Sequence, residues 1–165
     1  MKPFNIILSS HPAYDLKAVA AGLLKSNQFE LIVDPTKALV QSYGFQTLYD
    51  MPVDVQKKLR MQLLHEHAAS LLVASGRIYD HSVFAWLADW MRWLWSNTPT
   101  EEWDDVLSLA RKIVANYDRV IVVASAPLKP YDGFVWRDQR NIEQTSALLS
   151  LLHGLLGAKT EAYCE

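Results

Sequence analysis

The sequence predicts a three-layer α/β fold, in which a parallel sheet is covered by helices on both faces. Short apolar runs alternate along the chain with segments that carry helix-start residues or apolar residues at helical spacing. The runs at 4–10 and 119–125 are apolar at nearly every position, which is typical of strands buried on both faces. Short connections between these segments favour strand-helix-strand units. Because 165 residues suffice for one core, we expect a single domain over residues 1–165.

The first half of the chain contains two predicted strands and three predicted helices. Pro35 can occupy a first helical turn with Asp34 as its cap, and Gly44 is a typical helix end. Pro52 precedes a long segment with apolar residues at helical spacing. The predicted elements are strand 4–10, helix 15–26, strand 29–33, helix 35–43 and helix 53–75.

The second half continues the same alternation. Gly76 ends the long helix, and acidic residues 101–102 follow Pro99 as expected in a first helical turn. The predicted elements are a strand ending at 77–80, helix 82–95, helix 100–116, strand 119–125, helix 139–156 and strand 159–163. Ligands of parallel sheets bind at the carboxyl ends of the strands. We therefore expect residues 9–17, the segment around Asp80 and residues 127–140 to lie close together.

Composition excludes several functional classes. The formal net charge of −2 supplies no basic field, so nucleic-acid binding is not favoured. The one cysteine, Cys164, can form no internal disulfide, the N-terminus lacks a signal-peptide pattern, and apolar stretches are too short to span a membrane. Histidines are scattered, and no metal site is predicted. These features predict a cytoplasmic protein without membrane segments.

The segment after the first strand has the place of a phosphate-binding loop but little of its sequence. Against G-x-x-x-x-G-K-[ST], the chain has His11 and Leu16 for the glycines, Lys17 for the lysine and Ala18 for the hydroxyl residue. Asp15 adds a negative charge, and Ala18 cannot coordinate Mg²⁺. The loop therefore predicts no ordinary binding of Mg-ATP. Lys17 is either a phosphate ligand in a loop of another shape or an exposed lysine near a helix start.

Three further segments resemble one family, the small P-loop nucleoside and nucleotide kinases related to ribosylnicotinamide kinase, which are also described as AAA-type ATPases and are common in phages. The segment 34–37, Asp-Pro-Thr-Lys, is similar to the family's Glu-Pro-Thr-Arg. The segment 79–82, Tyr-Asp-His-Ser, resembles its Asp-Arg-Ser, and Asp132-Gly133 with Arg137 resembles its Asp-Gly-x-Arg lid. The resemblance covers nearly the whole chain and implies a P-loop nucleotide-kinase-like fold.

This resemblance implies roles for several residues. Asp80 would hold Mg²⁺ or polarise the acceptor hydroxyl, and Asp34 would contact the phosphate acceptor. Arg137 and Arg140 would neutralise charge on the transferring phosphoryl group. His81 stands where the family has arginine. Other readings remain open, with Asp80 as the cap of the following helix and both arginines as surface charges.

The segment 84–95 contains four of the six tryptophans. Apolar residues point in nearly every direction of this predicted helix, so one stripe facing the core cannot bury all of them. One reading is a helix packed between the sheet and a neighbouring helix. Another is an exposed patch of Trp86, Trp90 and Trp93 that binds a protein partner or a second copy of the chain. Stacking on nucleic-acid bases is a third.

Three functional hypotheses follow. The first is a kinase-like protein that is catalytically impaired and acts as a binding or regulatory module through a protein partner or self-association. The second is an active kinase for a nucleoside, nucleotide or modified base, with Mg-ATP as cofactor and His11 and Lys17 in an altered phosphate loop. The third is a nucleotide sensor that binds its ligand through Asp34, Asp80 and the lid without hydrolysis.

Overall fold

The predicted alternation of strands and helices is present in the structure, a computed structural model that describes residues 4–24, 29–73, 75–130 and 138–163. Short 3₁₀ turns occur at Leu48–Asp50 and Trp95–Asn97. The elements are β1 (Ile6–Ser9), α1 (Lys17–Leu24), β2 (Glu30–Ile32), α2 (Thr36–Ser42), α3 (Val53–Val73), β3 (Arg77–Tyr79), α4 (Val83–Trp93), α5 (Thr100–Val114), β4 (Arg119–Val122), α6 (Gln139–Leu155) and β5 (Thr160–Ala162).

Within the described residues, the sheet has five strands in the order β2-β3-β1-β4-β5, and every pairing is parallel. β1 lies in the centre, where Ile7 is in register with Tyr79 of β3 and Val120 of β4. The chain leaves β1 toward β2 on one side and leaves β3 toward β4 on the other. Connections that diverge in this way open a crevice at the carboxyl ends of the two strands.

The alternating direction of side chains on β1 divides the core into two halves. Ile6 and Leu8 pack with Leu16 and α1 on one face of the sheet. Ile7 and Tyr79 pack on the other face, with residues of α2 through α6. This arrangement confirms the predicted parallel sheet with helices on both faces. Among helices in the described residues, none combines the length and apolar character needed to cross a membrane.

Helix ends are set by local residues. Gly44 follows α2 and Gly76 follows α3, with φ of 84° and 82° in the left-handed region that favours glycine. The cap of α4 is Ser82, whose hydroxyl accepts a hydrogen bond from the backbone N–H of Ala85. The reading of Asp80 as the cap of this helix is therefore wrong.

The tryptophans of α4 do not form the exposed patch that one reading expected. Trp86 and Trp90 are 6% and 1% exposed. Their indole N–H groups donate to Oγ1 of Thr36 (3.1 Å) and Oγ1 of Thr98 (2.9 Å). Trp93 is 39% exposed. An interface comprising all three residues is wrong because α4 is packed against the sheet, α5 and α6, and buried indoles with satisfied N–H groups cannot contact a partner.

A buried histidine lies in an aromatic cluster beneath the carboxyl edge of the sheet. His67 of α3 is 3% exposed, and its Nε2 is 2.9 Å from the hydroxyl of Tyr117. Its Nδ1 has no hydrogen-bond partner among the described residues. The rings of Tyr79, His81 and Trp86 surround it. Burial, with a smaller effect from His81, lowers the pKa of His67 to about 3.

We predict that acid destabilises the fold through His67. Between pH 6.5 and pH 3 the unfolded chain binds a proton at this imidazole and the folded chain does not, so stability falls as the pH falls. The free energy of unfolding should decrease by about 1.4 kcal/mol per pH unit in this range. Urea denaturation between pH 7 and pH 5 measures the slope.

The matched variants are His67→Asn and His65→Asn, the second at an exposed position of the same helix. His67→Asn should reduce the slope by about 1.4 kcal/mol per pH unit because its contribution is gone, while burial also lowers the pKa values of His11 and His153, which keep the remaining slope. His65→Asn should leave the slope unchanged. Equal slopes for His67→Asn and the unmodified protein would contradict the account.

Candidate functional site

A cleft of about 440 Å³ opens at the carboxyl ends of β1, β2 and β3. Its volume is typical of sites for small molecules. One side is formed by the loop after β1 and by the segment after β4, and the other by the start of α2, the 3₁₀ turn at 48–50 and α4. The lining residues are Pro12, Ala13, Asp15, Lys17, Val33, Asp34, Thr36, Lys37, Leu48, Tyr49, Asp80, Ala85, Trp86, Asp89, Lys129 and Pro130.

Two carboxylates line this cleft because each lies within two residues of the end of a parallel strand. Oδ1 of Asp80 accepts a hydrogen bond from the backbone N–H of Asp34 at 2.7 Å. Oδ1 of Asp34 accepts from the N–H (2.9 Å) and the hydroxyl (2.5 Å) of Thr36. His81 approaches Asp80 with Nδ1 at 3.4 Å from Oδ1. These hydrogen bonds hold both carboxylates in fixed orientations on the cleft wall, where their oxygens can accept hydrogen bonds.

The loop after β1 bonds to itself. The backbone N–H of Ala13 donates to Nδ1 of His11 (3.1 Å), and that of Tyr14 donates to the carbonyl oxygen of His11 (3.0 Å). The N–H of Lys17 donates to Oδ1 of Asp15 (3.1 Å). In the described part of the chain, only glycines have positive φ, and residues 9–17 contain none. The loop therefore lacks the left-handed turns that direct successive N–H groups toward a phosphate.

A second segment pairs with this loop. The N–H of Asp15 donates to the carbonyl oxygen of Pro127 at 2.7 Å, and the N–H of Lys129 donates to that of Ala13 at 2.8 Å. Tyr14 and Leu128 form an antiparallel bridge between them. Residues 13–15 and 127–129 thus form a short backbone ladder along one side of the cleft. The ladder uses the N–H of Asp15, which a phosphate loop would direct to its ligand.

His11 occupies the position of the first glycine as a buried, neutral group. Its side chain is 2% exposed, and Nδ1 is the acceptor for the Ala13 N–H. Burial, with a smaller contribution from the charge of Arg92 and against the charge of Asp138, lowers the pKa of His11 to about 4. At neutral pH, His11 therefore supplies a rigid acceptor for the loop rather than a positive charge.

Charges on the cleft wall are nearly balanced. Lys17 is exposed and lies on the wall, as do two further lysines that sequence reasoning did not select. The three lysines are Lys17, Lys37 and Lys129, and the four aspartates are Asp15, Asp34, Asp80 and Asp89. Within the described residues, no three side chains from His, Cys, Asp and Glu are grouped to hold a metal ion.

Asp89 is a cleft residue that sequence reasoning missed. It lies on α4, and Nη2 of Arg60 on α3 donates to its Oδ2 at 3.0 Å. Burial raises the pKa of Asp89, although the charges of Arg60 and Arg92 act in the opposite direction. The sequence offered two signals for this pair. Arg60 is a charged residue among the apolar positions of α3, and Asp89 is a charged residue among the tryptophans of α4. Their pairing across 29 residues was not visible in the sequence.

Of the two expected arginines, the structure describes only Arg140. Arg140 is exposed on the first turn of α6 and does not line the cleft. Arg137, like the remainder of the expected lid, lies outside the described residues. Another arginine, Arg92 of α4, joins α4 to α6. It donates to Oγ1 of Thr145 on α6 at 3.0 Å and lies over the ring of Trp93.

No family model and no curated protein sequence matches this chain. Among solved structures, it is similar to the NadR protein in complex with NR, with a TM-score of 0.68 and 11% identity over 97% of this chain and 43% of that one. It is also similar to the YorR protein from Bacillus subtilis in complex with phosphorylated GDP, with a TM-score of 0.53 and 15% identity over 96% of this chain and 84% of that one.

Both likenesses support the α/β fold with a parallel sheet between helices that the resemblance implied. At such low identity, the likeness concerns the fold alone. The chain spans less than half the length of NadR.

We predict that Thr36 stabilises one side of the cleft by joining the start of α2 to α4. Its hydroxyl donates to Asp34 and accepts from the indole N–H of Trp86. Thr36→Val leaves the buried indole N–H of Trp86 without its acceptor and removes one of the two hydrogen bonds from residue 36 to Asp34, so the free energy of unfolding should fall by about 1–3 kcal/mol. Thr47→Val is the matched control because the Thr47 hydroxyl donates to Asp50 at an exposed position. Equal losses in urea denaturation would contradict this prediction.

Proposed function

We propose that this chain is a kinase-like module that binds a nucleoside-sized ligand in the cleft and does not transfer phosphate from Mg-ATP through the loop after β1. The observation that carries the proposal is the use of loop N–H groups within the protein. Those of Ala13, Tyr14, Asp15 and Lys17 all donate to protein acceptors. A phosphate would have to displace these acceptors, one of which, the carboxylate of Asp15, is itself charged and competes for the Lys17 N–H.

Charge supports the same conclusion. The carboxylate of Asp15 stands on the cleft wall beside Lys17. A negative charge at about 4 Å from a phosphate oxygen opposes it by roughly 1 kcal/mol in water-like surroundings and about 4 kcal/mol at an effective dielectric of 20. With three lysines against four aspartates, the wall suits a neutral or singly charged ligand better than a triphosphate.

The remaining cleft chemistry favours a ligand with hydroxyl groups and a ring. The carboxylates of Asp34 and Asp80 are fixed acceptors for hydroxyls. Trp86 and Tyr49 provide aromatic surface farther along the same cleft. A nucleoside combines both features in about the volume available. The lysines give a place for one anionic group, such as a single phosphate.

An active kinase with an altered loop is the second candidate, supported by Lys17, whose exposed side chain borders the cleft that also contains Asp80. In that case, Lys17 would contact the phosphates of Mg-ATP and Asp80 would act on the acceptor. The hydroxyls of the preceding serines offer little help. Ser9 is fully buried with Oγ at 2.9 Å from Nε2 of His153, and Ser10 is 8% exposed.

The first sequence hypothesis was binding to a protein partner or self-association. Burial of Trp86 and Trp90 removes two of the three residues expected at that interface. Trp93 and Trp95 are 39% and 51% exposed. Trp93 also contacts Tyr49 edge to face, which ties it to the cleft mouth. Size-exclusion chromatography with light scattering tests this role, and a dimer that dissociates in Trp95→Ala would support it.

Calorimetry separates the candidates. We expect one of adenosine, guanosine, cytidine and uridine, or its monophosphate, to bind with a Kd in the micromolar to low millimolar range. Mg-ATP should give no saturable heat in that range. Asp80→Ala should abolish nucleoside binding by removing a fixed acceptor, while Asp104→Ala, at an exposed position of α5, should leave it unchanged.

Binding of Mg-ATP would contradict the proposal. If Mg-ATP binds with micromolar affinity and this binding is lost in Lys17→Ala, the kinase candidate replaces the proposal. A coupled phosphotransfer assay over the same nucleosides would then identify the acceptor. If no nucleoside or nucleotide binds, the cleft does not have the proposed role.

A further inference from the structure

One wall of the cleft contains an ion pair that the roles above do not use. Asp89 and Trp86 are three residues apart on α4, so both face the cleft from the same side of the helix. The Asp89 side chain is 32% exposed, and the Arg60 side chain behind it is 3% exposed. The guanidinium therefore lies beneath the wall, and the carboxylate lies at its surface.

The pair positions a carboxylate more than it stabilises the fold. Nη1 of Arg60 is buried without a hydrogen-bond partner in the described residues. A buried ion pair with an unsatisfied N–H contributes little net stability, and well-packed apolar residues often replace such pairs without loss. Removing one partner alone is costly because it leaves a buried charge. Arg60 thus holds Asp89 in one orientation beside the ring of Trp86.

The orientation leaves one carboxylate oxygen for a ligand. Within the described residues, the hydrogen bond from Arg60 goes to Oδ2 of Asp89. Oδ1 can therefore accept a donor from the cleft. Asp34 and Asp80 are both fixed by the backbone at the ends of β2 and β3, whereas Asp89 lies on α4 next to aromatic surface. Asp89 is consequently placed to contact a ring rather than its hydroxyl-bearing part.

Resting on the proposed function, we propose that Asp89 is a specificity-determining residue whose Oδ1 accepts an N–H from the ring edge of the bound nucleoside. The cleft then selects nitrogen heterocycles that present an amino group or ring N–H toward α4. A ring with only acceptors at that edge is rejected. Its lone pairs would face the carboxylate, and both groups would lose water without a hydrogen bond in return.

Nucleosides that differ in one donor test this proposal by calorimetry. The pairs are adenosine with purine riboside, cytidine with pyrimidin-2-one riboside, guanosine with inosine, and uridine with 3-methyluridine. For the nucleoside that binds best, the partner lacking the donor should bind at least about tenfold more weakly, as expected for a hydrogen bond to a charged acceptor. Binding of all pairs within threefold would overturn the proposal.

Variants test whether Asp89 causes the difference in affinity between a nucleoside and its partner without the donor. Asp89→Asn reduces the negative charge of the acceptor, and Arg60→Met with Asp89→Leu removes both charges so that no buried guanidinium is left unpaired. In the double variant, the ratio of the two affinities should fall to within about threefold. Asp104→Asn, at an exposed position, should keep the full ratio. Circular dichroism checks that each variant is folded.

The affinity ratio distinguishes recognition from a structural role. If Asp89 only supported the fold, the double variant would weaken both members of a pair alike, and an unchanged ratio would overturn the proposal. A nucleoside that binds without preference for the donor contradicts the role of Asp89 but leaves the proposed function intact. Absence of all nucleoside binding contradicts both.

Discussion

The backbone N–H groups after β1 can donate hydrogen bonds either to a bound anion or to acceptors within the protein, and the two possibilities compete. Buried N–H groups require a partner, and a loop without glycine cannot readily turn them toward a phosphate. Here the acceptors are the imidazole and the carbonyl oxygen of His11, the carboxylate of Asp15 and the carbonyl oxygen of Pro127. The ladder between 13–15 and 127–129 follows from this use and forms one side of the cleft.

The other side of the cleft does not depend on that loop. Asp34 and Asp80 are held by backbone geometry at the ends of β2 and β3, and Thr36 links them to Trp86 on α4. The acceptors on this side therefore keep their geometry whether or not the loop after β1 binds an anion. The proposed function is based on this separation between the two sides of the cleft.

Sequence predicted the features that depend on neighbouring residues. The apolar run of β1 and the approach of the loop after β1 to Asp80 and to Lys129 follow from local pattern and from the common edge of parallel strands. Burial of Trp86 and Trp90 did not follow, since composition does not tell which faces of a helix are covered. The pair of Arg60 and Asp89 joins two helices distant in sequence, and the ladder at 127–129 depends on backbone contacts that side-chain types do not encode.

The central claim, that the loop amides are committed to protein acceptors, is tested most directly by amide proton exchange measured by NMR. The amides of Ala13, Tyr14, Asp15 and Lys17 should be protected from exchange, and saturating Mg-ATP should change neither their protection nor their chemical shifts. Exchange near the unprotected rate without nucleotide, with protection and large shifts of the Asp15 and Lys17 amides on adding Mg-ATP, would contradict the account.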